Sequence, residues 1–275
     1  MWQEDGMQLT IGLSQMNSRD DKQENLVAAE KSIRELAAKG AELIMLPEHF
    51  NFLGPDHLKR VNAEPLDQSP SLDRIRNLAA ELKAAVHIGS YLERDGHKLF
   101  NTGVVFDRDG ERIGTYRKIH LFDVNIPGGT CYCESDTISP GNEVVTFALG
   151  DFIFGMATCY DLRFPELFRR LRQMGADVIL LPAAFTLSTG RDHWELLLRA
   201  RAVENLCWIA AADQWGTFPP NHVTFGRSMV VNPWGLVVIQ AADGVSTITA
   251  ELDLETVRSI RTNFPVHNHI RTDIF

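Results

Sequence analysis

The stretch KGAELIMLPEHF (39–50) is met again further along as MGADVILLPAAF (174–185). The copies share Gly-Ala-acid, an apolar run, Leu-Pro, and a Phe three residues after the Pro. Each follows an amphipathic segment, so the frame reads as helix, glycine stop, buried strand and turn. A strand apolar throughout suits a sheet covered on both faces. Two copies of one β-α-β grammar, with no Pro/Ser-rich linker between them, point to one internally duplicated α/β domain over residues 1–275.

The same grammar extends outward. QLTIGLSQM (8–16) reads as a strand, and the helix after it has apolar residues at Leu26, Ala29, Ile33, Leu36 and Ala37. Asp20 or Asp21 can cap that helix and Gly40 can end it. A helix is expected over 69–85, then a strand VHIGSYL (86–92), then a hairpin of strands 99–106 and 112–118 around DRDG. Residues 119–141 have no clear period and carry PGG and SPG; long irregular segments of this kind are often functional. Beyond them come strands over 144–149 and 152–158 and a helix at 165–175. After the second frame, a helix at 192–206, strands at 207–213, 228–233 and 236–242 and a helix at 253–261 are expected.

A formal net charge of −9 with no Lys/Arg-dense stripe argues against nucleic acid or an anionic membrane surface as partner. No apolar run approaches the roughly 20 residues that span a bilayer, and the N-terminus lacks the pattern of a secretory signal. Four cysteines in 275 residues are too few for a disulfide scaffold, so a reducing cytosol is the expected location.

Within the repeat, Glu48 stands where the second copy has Ala183, so the turn itself does not require a carboxylate. It is either a loop-mouth acid, solvated or salt-bridged, or a functional group at a strand's C-terminal end, where open α/β sheets commonly bind ligands. Cys159, in GMATCYDLRFPEL, lies where a strand runs into a helix beginning near Pro165. It reads either as an inert small hydrophobe or as a nucleophile presented on a turn, with backbone N–H groups nearby. Lys118 ends the strand RIGTYRK. A lysine beside the cysteine favours a thiolate, and a carboxylate can carry its proton. Cys207 reads as buried and structural. Cys131-Tyr-Cys133 with His120 lacks the spacing of a zinc site, so no metal is expected. His222, His267 and His269 are expected to face solvent.

LPEHF, YRKIHLFD and CYDLRFPEL, in that order, resemble the three signature segments of the nitrilase (carbon–nitrogen hydrolase) superfamily, and the likeness extends from GLSQM to FPVHNHIR. The resemblance implies a four-layer αββα sandwich and cofactor-free hydrolysis of amides or nitriles. It implies Cys159 as nucleophile and Glu48 as general base and then acid. Lys118 is then an oxyanion holder together with the backbone N–H of Tyr160. It further implies a second glutamate in the loop after the lysine, a place that Glu134 fills unless it is merely an exposed loop acid. CYD followed by RFPEL, STGRDHWELLLRARAVEN, DKQEN and FNF resemble the omega-amidase and deaminated-glutathione-amidase branch. A small 2-oxo acid carrying a terminal amide is then the implied substrate.

Tyr160, Arg163 and Phe185 are the candidates for substrate contact. Arg163 could hold a substrate carboxylate, or could form a structural salt bridge to Asp161 or Glu166. A homodimer or larger homo-oligomer is implied, with HWELLLRARAVENLCW and the tail 264–275 as candidate contacts. The competing readings are a nitrilase or N-carbamoyl amidohydrolase of the same fold, and a non-enzymatic partner protein that retains it.

Overall fold

A computed structural model describes residues 7–125 and 131–274. The PGG at 127–129 lies outside the described residues. The first half runs β1 (Gln8–Gln15), α1 (Lys22–Ala38), β2 (Leu43–Met45), α2 (Asp56–Asn62), α3 (Pro70–Leu82), β3 (Ala85–His87), β4 (Tyr91–Asp95), β5 (Lys98–Phe106) and β6 (Arg112–Arg117). A short pair, β7 (Asp123–Asn125) and β8 (Cys131–Cys133), leads to a 3₁₀ turn at Glu134–Asp136. The second half runs β9 (Thr146–Leu149), β10 (Phe152–Met156), a 3₁₀ turn at Cys159–Arg163, α4 (Pro165–Gln173), β11 (Val178–Ala183), α5 (Leu187–Asn205) and β12 (Trp208–Asp213). It closes with β13 (Trp215–Phe218), β14 (His222–Phe225), β15 (Met229–Val231), β16 (Val237–Gln240), β17 (Ser246–Asp253) and α6 (Leu254–Asn263).

The two frames build two sheets of the same order. One runs β17-β1-β2-β3-β5-β4, with β6 also on β5, and the other runs β16-β15-β12-β11-β10-β9. In each, three central strands are parallel and the flanking ones antiparallel. The acid of each frame has the same work. Glu42 donates its N–H to Thr10 O (2.8 Å) and accepts Thr10 N–H on its carboxylate (2.9 Å). Asp177 does the same to Ile153, at 2.8 and 3.1 Å. Each acid therefore locks the register of its strand against the preceding one.

Strand alternation then sorts the side chains into layers. Leu43, Met45, Val178, Leu180 and Trp208 face inward and form one core between the sheets. Ile44 and Leu46 turn outward under α1 and α3, and Ile179 and Leu181 turn outward under α4 and α5. The result is an αββα sandwich. Helix α1 is capped by Asp21, whose carboxylate accepts Glu24 N–H, and it buries Leu26, Ala29, Ile33 and Leu36.

Several elements differ from the sequence expectation. VHIGSYL is two strands, because the chain turns at Gly89 (φ +70°), where a Cβ would lie 1.9 Å from Pro47 O. Helix α5 begins at Leu187, earlier than expected. Residues 188–190 lie inside the helix, and Gly190 lets Phe225 pack directly on the backbone. Strand β17 pairs with β1 along its whole length, yet its Ser/Thr-rich sequence has only weak alternation. His267 is not simply solvent-facing: its Nδ1 meets Arg169 at 3.0 Å.

Candidate active site

The C-terminal ends of β2, β6 and β11 and the turn after β10 converge at one end of the sandwich. Lys118 directly follows β6, its N–H donating to Asn101 O at 2.9 Å. Its Nζ sits between two carboxylates, 3.0 Å from Glu48 Oε1 and 2.8 Å from Glu134 Oε2. All three residues are at most 3% exposed. Asn101, on β5, donates through Nδ2 to Glu48 Oε1 (2.8 Å) and Glu134 Oε1 (3.4 Å). Phe122 N–H adds a bond to Glu134 Oε2 at 2.7 Å. Glu134 is thus a buried, fully held carboxylate and not an exposed loop acid.

The segment carrying Glu134 is itself tied down. Buried Lys59, on α2, reaches Tyr132 Oη (2.6 Å) and Asp56 (2.7 Å). Cys131 and Cys133, on either side of Tyr132, are exposed. Cys207 is buried, as expected.

The second frame completes the environment of Glu48. Ala184, one residue past Ala183, donates its N–H to Glu48 Oε2 at 2.8 Å. Gln214 bridges the two frames, its N–H on Ala183 O (3.0 Å) and its Nε2 on Glu48 O (2.9 Å).

Cys159 opens a 3₁₀ turn with φ +48°, a left-handed backbone that a residue with a Cβ rarely adopts. Strain of this kind persists only where surrounding bonds fix it. Here Asp161, fully buried, does the fixing. Its carboxylate accepts Thr158 N–H (2.8 Å), Tyr116 O–H (2.6 Å) and His120 N–H (3.1 Å). Asp161 is therefore fully engaged and forms no salt bridge to Arg163. Among the described residues, neither Asp161 nor Glu166 comes within ion-pair distance of Arg163. Its guanidinium instead meets His193 Nδ1 at 3.3 and 3.4 Å, with the Tyr160 ring at 5.9 Å and the Phe185 ring at 5.6 Å. Phe185 is buried against Trp194, and its N–H is held by Asp213 at 2.8 Å.

The electrostatics follow from this packing. Burial pushes the Glu48 carboxyl upward, but the Lys118 ammonium and the bonds around it prevail and hold it well below the usual carboxylate range. Burial lowers Lys118, yet the Glu134 and Glu48 carboxylates overcome this and raise it well above its ordinary value. Burial, followed by the Glu48 charge, pushes the Cys159 thiol well up, and Lys118 offsets only part of this. Lys118 lowers the thiol pKa in the expected direction, but burial and the Glu48 charge outweigh it. These directions favour a carboxylate, an ammonium and a neutral thiol, an arrangement in which the carboxylate can take the proton as sulfur attacks.

His49 was not singled out from the sequence, although it lies in the quoted frame. It has φ +59°, and its Nε2 is 3.9 Å from Glu48 Oε1; burial lowers its pKa. Glu48, His49 and Glu134 could each turn one ligand atom to a common point. Lys118 already places a cation between the two carboxylates, so a metal ion there would have to displace the ammonium. Asn101 was missed as well, since a lone Asn inside LFNTGVVF gives no sign of what its strand faces.

Comparison with known proteins agrees with the fold. The family model for carbon–nitrogen hydrolase matches residues 10–262. Human deaminated glutathione amidase is 38% identical, covering 96% of this chain and 83% of that protein. Human omega-amidase NIT2 is 36% identical, with 96% of each chain covered. The crystal structure of the C. elegans NitFhit protein superposes with a TM-score of 0.90 at 36% identity, over 98% of this chain and 66% of that one. The chain belongs to the carbon–nitrogen hydrolase family, whose members are hydrolases acting on C–N bonds.

Proposed function

We propose that this protein is an amidase that hydrolyses the terminal amide of a small 2-oxo acid to the acid and ammonia, as the names of its deaminated glutathione amidase and omega-amidase relatives suggest. The observation that carries the reading is the buried Glu48–Lys118–Glu134 cluster beside Cys159 on its strained turn. Cys159 Sγ attacks the amide carbon while Glu48 takes its proton. The resulting oxyanion is held by the Lys118 ammonium and by Tyr160 N–H. Glu48 returns the proton to the amine, C–N cleavage releases ammonia, and a thioester remains. Glu48 then takes a proton from water, whose oxygen attacks the thioester; collapse frees the acid, and Glu48 returns the proton to the departing sulfur to restore the thiol. Two moderate barriers replace one high barrier. Glu134 fixes the lysine.

Arg163 supports the substrate class. A half-buried guanidinium with no carboxylate partner among the described residues is matched by a carboxylate on the ligand, with Tyr160 and Phe185 beside it. The chain works as one domain and as a homodimer. An exposed apolar patch supports this: Trp234 packs on Phe264 at the start of the tail, next to Val203 of α5. Four free thiols suit the cytosol.

The test is ammonia release from a panel of small amides by the purified protein. Monoamides with a free carboxylate are expected to be turned over better than neutral amides of equal size. Turnover of nitriles instead, or carbon dioxide release from N-carbamoyl compounds, would replace this reading. No turnover of any C–N bond would favour a partner protein that keeps the fold.

A further inference from the structure

We propose that His193 is a positioning residue that orients Arg163 without neutralising it, and so sets the preference for amides carrying a carboxylate. This rests on the assignment of Arg163 to the substrate carboxylate.

Both terminal nitrogens of Arg163 converge on one acceptor, His193 Nδ1, at 3.4 and 3.3 Å. A ring nitrogen that accepts from a guanidinium carries no proton, so the imidazole is neutral with its hydrogen on Nε2. The bonds are long for N–H donors, which makes the tether directional but weak. A neutral acceptor also leaves the cation's charge in place. The rings of Tyr160 and Phe185, 5.9 and 5.6 Å from the guanidinium carbon, add confinement, again without an opposing charge.

Arg201 and Arg261 are held by carboxylates, whereas Arg169, like Arg163, meets a histidine Nδ1 (His267, 3.0 Å) but adds a bond to Glu204 O at 3.1 Å. Arg201, on the same helix as His193, pairs with Glu204 at 2.8 Å and bonds Leu162 O. Arg261 pairs with Asp177 at 2.8 Å. The carboxylate nearest in sequence to Arg163, Asp161, is taken up by Thr158, Tyr116 and His120. An aspartate or glutamate at position 193 would hold Arg163 more tightly than His193 does, and would compete with the substrate for it.

The experiment compares two substitutions of nearly equal shape in the full-length protein. His193→Asn retains a neutral acceptor, and His193→Asp places a negative charge there. Ammonia release is measured with a dicarboxylic acid monoamide and with a neutral amide of the same size. His193→Asp is expected to raise KM for the acidic amide about tenfold or more relative to His193→Asn, the scale of a charge-assisted hydrogen bond. The kcat values and the neutral amide's KM should differ little between the two. Equal KM values for the acidic amide in both variants would overturn the proposal, as would equal losses on both amides. If neither variant folds, the His193→Gln and His193→Glu pair makes the same comparison. Arg163→Gln separates the two claims. A selective loss of the acidic amide there, without an Asp–Asn difference at position 193, removes only the role of His193. An equal loss on both amides removes the Arg163 assignment itself.

Discussion

Glu48 Oε2 accepts the backbone N–H of Ala184 at 2.8 Å, so the end of one repeat supports the carboxylate that only the other repeat carries. The repeated frame brings the two strand ends together, and the asymmetry between Glu48 and Ala183 makes a site from them. Ala183 is fully buried in the core under α5. A carboxylate there would be buried without a partner, which is the physical reason for the alanine.

Glu48→Gln should lower kcat by about 10² or more, since general acid–base catalysis contributes about 10²–10⁴. The amide keeps the shape but cannot take and return a proton. Ala183→Glu should not rescue it, and should lower the melting temperature through an unpaired buried charge. Near-normal rates in Glu48→Gln would refute the proton-carrier role.

Lys118→Met tests the electrostatics. The lysine opposes the effect of burial on Glu48, so its removal should raise the Glu48 pKa and move the acid limb of kcat/KM from below the ordinary 4.5 to above it. In the unmodified protein Glu48 has a folded pKa below its unfolded one. Its ionisation therefore stabilises the fold above about pH 4.5, and that contribution is lost as pH falls further. The alkaline limb should lie above the ordinary thiol value of 9.0, because Cys159 is raised. An unmoved acid limb in Lys118→Met would contradict this account. The variant should also lose about 3–5 kcal/mol of stability, the usual cost of breaking a buried pair.

Glu134→Gln keeps an acceptor for Phe122 N–H but removes the charge that, with Glu48, holds Lys118. Loss of one charge-assisted bond should cost about 10- to 100-fold in kcat. A change below about twofold would make Glu134 a purely structural acid.

How much of this was legible in the sequence depended on whether the signal was local. The frame around Leu43–Met45 and Val178–Ala183 was readable because a buried parallel strand is apolar throughout. Glu48, Lys118, Cys159 and Glu134 were singled out by the resemblance of their segments to the family's, and the fold brings them together. Partners across strands could not be read: Asn101 reaches Glu48 only because β5 and β2 flank β3 in one sheet. Asp161 looked available to Arg163, but Thr158 of its own turn and Tyr116 and His120 from a distant segment occupy it. The thiol state of Cys159 depends on burial, which spacing does not reveal. Strand β17 was hidden because polar Ser and Thr fill a strand specified by its pairing with β1.

The exposed patch of Trp234, Phe264 and Val203 should be covered by a second copy, since closed two-fold dimers are the commonest assembly. Light scattering at micromolar concentration should give at least twice the chain mass of 30.9 kDa. A monomer mass would contradict the homodimer.

The central claim, covalent catalysis at Cys159, is tested most directly by mass spectrometry of protein quenched in acid during turnover of a slow amide. The expected result is a gain equal to the substrate's acyl group, mapped to the peptide containing Cys159 and absent from a folded Cys159→Ala variant that releases no ammonia. An acyl group on Cys131, Cys133 or Cys207, or ammonia release by Cys159→Ala, would contradict it.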